Sequence, residues 1–109
     1  CSGFVQELLA IIGLDPPGDQ SSVMLCDYFS DSDHGNQIQT PIFGSLLFFG
    51  KNKISHIAMA LNEKFMVEAG GGGRKTLSKE DAINQQAFVR IRPIARRSDL
   101  QKIIQPVGL

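Results

Sequence analysis

Thiols and imidazoles are scarce in this sequence: two cysteines, Cys1 and Cys26, and two histidines, His34 and His56, among 109 residues. Two cysteines permit one disulfide at most, which excludes a scaffold framed by disulfides. An excess of either charge is also missing. Eleven Lys and Arg balance eleven Asp and Glu, so the usual electrostatic case for a nucleic-acid partner falls away. With 42% hydrophobic and 20% charged residues, the composition is that of a globular chain and indicates neither disorder nor a transmembrane segment. A basic stretch leading into an apolar one is absent, so a signal peptide is either lacking or already removed. The length suits one domain, residues 1–109, with a single site and, by expectation, a monomer.

Short elements are punctuated by Gly, Pro and Asn/Asp clusters, without repeats or linkers. Phe4, Val5, Leu8, Leu9, Ile11 and Ile12 recur at helical spacing on more than one face, which predicts a mostly buried helix over 2–12 stopped by Gly13. The turn "DPPGDQSS" can cap a second helix, "SVMLCDYFS", and the polar stretch "DSDHGNQ" reads as loop. Four stretches have strand character: "SLLFF", "HIAMAL", "KFMVEA" and "FVRIRPI". A capped helical segment, "SKEDAINQQ", precedes the last of them. The expected class is α+β, an antiparallel sheet packed on the first helix.

Cys1 stands directly before that helix. A sulfur there feels the positive end of the peptide dipoles and several unpaired N–H groups, and both favour thiolate over thiol. Ser2 and Gly3 are small, leaving room for a substrate carbonyl whose oxyanion the same N–H groups could receive. Two other readings stand beside this one. The chain could merely begin at a cysteine, or Cys1 could be the mature terminus of a lipoprotein, against which the immediate start of a helix argues because it leaves no tether. Cys26 lies in the apolar run of the second helix and reads as a free, buried thiol.

A thiolate needs a base. His34 sits in a polar loop and reads as a solvated residue. Its neighbours Asp31, Asp33 and Asn36 do not make a calcium loop, because Gly35 stands where an oxygen ligand is needed and Asn36 where a glycine is. His56 opens a strand whose alternation places His56, Ala58 and Ala60 on one face and Ile57, Met59 and Leu61 on the other. The small residues beside His56 predict a face that a helix end can approach closely. Glu68 interrupts the apolar run of "KFMVEAG", and a glutamate is rarely buried without a partner. A three-residue loop at Asn62, Glu63 and Lys64 pairs Leu61 with Phe65, sets Ala58 opposite Glu68, and leaves His56 diagonal to Glu68 on the same face. A two-residue loop would separate them. On the three-residue register Cys1, His56 and Glu68 form a nucleophile, base and orienter.

These stretches, "CSGFV", "GSLLFFG", "SHIAMAL" and "KFMVEAG" in that order, resemble the NlpC family of papain-like cysteine peptidases. In that family a cysteine opens a helix in "DCSG(F/L)V", matched by Cys1 to Val5. A histidine begins a "H(V/I)(G/A)(I/M)" strand, matched by His56 to Met59, and a third polar residue lies in "M(I/V)(H/E)A", matched by Met66 to Ala69. The resemblance implies a papain-like fold, no metal or other cofactor, and an extracytoplasmic setting. It also implies a substrate: the peptidoglycan stem peptide, cut between a γ-linked D-glutamyl residue and a diamino acid. Ser2, Gly3, Ser55 and Gly70 are the candidate oxyanion and substrate contacts. The family's aspartate before the cysteine and its upstream tyrosine have no counterpart here. Were Cys1 a free terminus, its amine, with a pKa of about 7.7–8, would point to an N-terminal-nucleophile amidohydrolase. A catalytically silent cell-wall or phage-tail binding module of the same fold is the alternative from another class.

The run "GGGGRKT" is not a phosphate loop, since Arg74 and Ala69 stand where that pattern needs glycines. Gly70 to Gly73 read instead as a mobile rim of the cleft. Arg90 and Arg92, with Arg96 and Arg97 beyond them, read as a solvated basic face, with contact to substrate carboxylates as the alternative.

Overall fold

A computed structural model describes residues 2–70 and 88–109. Two helices, α1 (Ser2–Ile11) and α2 (Ser22–Ser30), precede six strands: β1 (Gly35–Gln37), β2 (Leu46–Phe49), β3 (His56–Ala60), β4 (Phe65–Gly70), β5 (Phe88–Pro93) and β6 (Leu100–Pro106). The strands form one antiparallel sheet in the order β1-β6-β2-β3-β4-β5. The expected segment "SKEDAINQQ" and Gly71 to Gly73 lie outside the described residues.

Local chemistry sets the helix ends. Gly13 adopts φ +75°, its N–H donates to Ala10 O, and Leu14 N–H reaches back to Leu9 O. This doubly bonded left-handed cap ends α1 where the glycine predicts. Ser21 caps α2, its hydroxyl accepting from Met24 N–H at 3.2 Å.

The expectation of a mostly buried α1 is corrected. Val5, Gln6 and Leu9 are buried, whereas Ile11 is 81% exposed. Only one stripe of a helix meets a sheet, so Ile11 and Ile12 stay outside while Phe4 is only partly buried against the core. The stripe belongs to a core cluster with Leu25, Cys26 and Phe29 of α2 and Leu46, Phe48, Ile57 and Ile104 of the sheet.

Two strands depart from the sequence reading. The stretch read as loop contains β1, and β6 follows the strand taken as last. β6 lies between β1 and β2 and is covered on both sides: Ile104 joins the helix-side cluster, while Ile103 joins a second cluster with Leu47, Phe49, Ala58, Ala60, Met66 and Ile94. Hence Ala58 and Ala60 face that second cluster, which has no α1 member. The small face of β3 does not receive the helix, as had been expected. α1 packs on the Ile57 side, and the alanines make room for Met66, Ile94 and their neighbours.

Candidate functional site

The β2–β3 turn delivers His56. Gly50 opens it with φ +154°, and a Cβ there would collide with the Lys53 carbonyl oxygen, so the tight return demands glycine. Ser55 N–H donates to Phe49 O at 2.8 Å, and His56 pairs with Phe49 as the first rung of β3. The β3–β4 turn delivers Glu68. Asn62 Oδ1 accepts from both Lys64 and Phe65 N–H at 2.8 Å, and Leu61 N–H donates to Phe65 O. Met59 then opposes Val67 and Ala60 opposes Met66, which is the three-residue register predicted from sequence.

That register brings His56 Nε2 to 3.3 Å from Glu68 Oε2. Glu68 is 3% exposed, so it is not a solvent-facing edge residue. An ionised carboxylate only accepts; Nε2 therefore carries the hydrogen and Nδ1 keeps the lone pair. Burial holds His56 below the usual imidazole range; the Glu68 anion and its hydrogen bond pull it back up, and the Arg97 cation pushes it down. Near neutral pH the ring is neutral, able to take a proton at Nδ1.

Cys1 lies outside the described residues, so the structure brings together two of the three expected site residues. α1 begins at Ser2, the next residue along. Gly3 is exposed with nothing within 4 Å of an added Cβ, and it lines a polar groove of about 460 Å³ together with Gln6, Glu7, Ala10, Asp15 and Asp19. Ser55 is exposed beside His56, and Gly70 is the last residue of β4, opposite Phe88. Cys26 is free and buried, as expected.

His34 is corrected: it is half-buried rather than solvated, its ring stacked on Tyr28 at 4.0 Å. The basic face is corrected in part, since Arg96 is exposed but both Arg96 and Arg97 have acidic partners. Arg96 Nη1 lies 3.6 Å from Glu68 Oε1, and Arg97 makes a two-pronged pair with Asp99 at 2.9 and 2.8 Å while its guanidinium covers the Phe49 ring. Sequence reasoning also passed over Gln6. Its amide donates to Asp15 Oδ1 and Gly18 O and accepts from Gln20 N–H, fastening the 15–20 loop to the first helix; a glutamine amid the apolar stripe was the available signal. Among the described residues no three His, Cys, Asp or Glu side chains converge as metal ligands, and no helix is long and apolar enough to cross a membrane.

No curated protein and no solved structure matches the chain. The profile of the NlpC/P60 family matches residues 1–93 of the 109, a span that takes in both helices, the His56–Glu68 hairpin and the strand after it, and the chain therefore belongs to the NlpC/P60 family.

Proposed function

We propose that this protein is a cysteine peptidase that hydrolyses peptidoglycan stem peptides between a γ-linked D-glutamyl residue and a diamino acid, working outside the cytoplasm. Family membership supports cell-wall peptidase chemistry in general. The single observation that supports these particular residues is the His56–Glu68 pair at 3.3 Å, with the carboxylate buried.

Cys1 is the nucleophile. Its sulfur attacks the γ-carbonyl carbon, forming the S–C bond as the thiol proton passes to His56 Nδ1. The tetrahedral intermediate collapses with cleavage of the C–N bond, and the imidazolium returns the proton to the leaving amine. Water then attacks the thioester with His56 as base, releasing a carboxylate and regenerating the thiol. Glu68 holds the ring by Nε2 and stabilises it when charged. N–H groups around Ser2 and Gly3 receive the oxyanion, and Ser55 and Gly70 contact the peptide.

Mass spectrometry of peptidoglycan fragments before and after incubation with the complete protein tests this. The expected result is new termini at the γ-D-glutamyl bond, abolished by Cys1→Ala in a folded protein, with rapid alkylation of Cys1 but not of Cys26. Turnover that survives Cys1→Ala sinks the assignment; a folded chain with an inert Cys1 thiol and no products is instead the silent binding module.

A further inference from the structure

The site's buried carboxylate has two oxygens, and the reaction described above uses one. We infer that Arg96 is a positioning residue, holding Oε1 of Glu68 so that Oε2 stays aimed at His56 Nε2. What this positioning is for rests on the cysteine-peptidase reading; the contact itself does not.

The carboxylate torsion of a glutamate is soft and roughly two-fold, so one acceptor contact does not fix its plane. A second partner on the other oxygen does. Arg96 Nη1 stands 3.6 Å from Oε1, and the Arg96 side chain is 43% exposed; it thus supplies a cation to a buried anion while keeping much of its own hydration. The backbone carrying it is held on both sides. Pro93 ends β5 and leads into a short 3-10 turn, Ile94–Arg96. Ile94 is buried in the second cluster and donates its N–H to Lys64 O at 2.9 Å. Arg97 N–H bonds back to Ile94 O, and the Arg97 side chain is committed to Asp99 and the Phe49 ring. The two adjacent arginines divide the work: Arg97 lies over the Phe49 ring and Arg96 reaches the carboxylate.

The charged groups around the ring come from several elements. Glu68 faces it from β4, while Arg97 and Asp99 act on it from the segment after the turn. Arg90 stands opposite Glu68 in the β5 register. Phe49 of β2 packs on the ring and carries no charge. Arg96 acts on His56 through Glu68.

The test is the tautomer. In Cys1→Ala protein labelled with nitrogen-15, the imidazole shifts of His56, assigned by their loss in His56→Gln, report which nitrogen carries the hydrogen above the ring's pKa. The parent should show Nε2–H. Arg96→Met should move both shifts toward the average of the two tautomers, Arg96→Lys should restore them because a point charge suffices at this distance, and the His34 signals should not change. Identical His56 shifts in parent and Arg96→Met overturn the inference, as does a Lys variant that behaves like Met. With Cys1 restored, Arg96→Met should lower kcat/KM by about tenfold. A chain that shows the tautomer response and hydrolyses no stem peptide leaves the Arg96 contact standing and removes the peptidase reading.

Discussion

Replacing Glu68 asks the most of the site geometry. Glu68→Gln conserves volume, so no cavity term enters, and any loss comes from charge and hydrogen bonding. At 3.3 Å from Nε2 the carboxylate contact is long for N–H···O, which puts it near the lower end of the ~1.5–3 kcal/mol typical of hydrogen bonds to charged groups. The amide oxygen can replace Oε2, but its NH₂ then confronts the Arg96 guanidinium that Oε1 had engaged at 3.6 Å, donor against donor. The expected fall in kcat/KM is therefore 10–100-fold, or about 1.4–2.7 kcal/mol of transition-state stabilisation. Glu68→His should lose less than Glu68→Leu, because neutral imidazole still offers an acceptor; Leu strands a ring N–H at about 1–3 kcal/mol. Steady-state kinetics of all three on one stem peptide, with thermal unfolding run alongside, read rate and stability separately. Equal kcat/KM in Gln, His, Leu and parent proteins would refute the reasoning, because a 3%-exposed carboxylate on the base cannot be removed without effect if that base works.

Because burial lowers the folded-state pKa of His56, the unfolded chain takes up this proton first, so stability falls as pH drops through about 6.5 toward the lower folded value. Urea midpoints between pH 7.5 and 5 should show that slope flattened in His56→Gln, and parallel curves would contradict it. Gly50→Ala drives a methyl group into the Lys53 carbonyl and should destabilise by at least ~1–3 kcal/mol while also lowering activity, since the same turn aims His56. Parental thermal stability in that variant would show that the turn has another conformation open to it.

The parts legible in the sequence were those set by local chemistry. Ser21 marks the start of α2, Gly13 the end of α1, and Asn62 with the flanking alternation fixes the hairpin register that joins His56 to Glu68. What was missed depends on distant partners. β1, "GNQ", contains no strand-forming residue and exists because β6 pairs with it. β6 is sandwiched between two clusters, so Ile103 and Ile104 sit side by side rather than alternating with polar residues. The solvated reading of His34 missed a stack on Tyr28 formed by the α2 exit. Arg96 meets Glu68 only because β5 pairs with β4 and Pro93 then bends the chain back. Nothing near either residue in sequence announces that contact.

The place of β6 also governs how the molecule can be assembled. β2, "LLFF", is buried along its whole length, and one of its edges is closed by a strand made more than fifty residues later. During synthesis that edge stays open while every other strand is already available: a short, uncharged, apolar segment with unpaired N–H and C=O groups, the kind of template that recruits strands from other chains. Because so much of the sheet depends on this late pairing, folding is expected to be slow for the chain's size. The interval before β6 docks is when the polypeptide is most exposed to aggregation, and truncation before Leu100 would make that interval permanent.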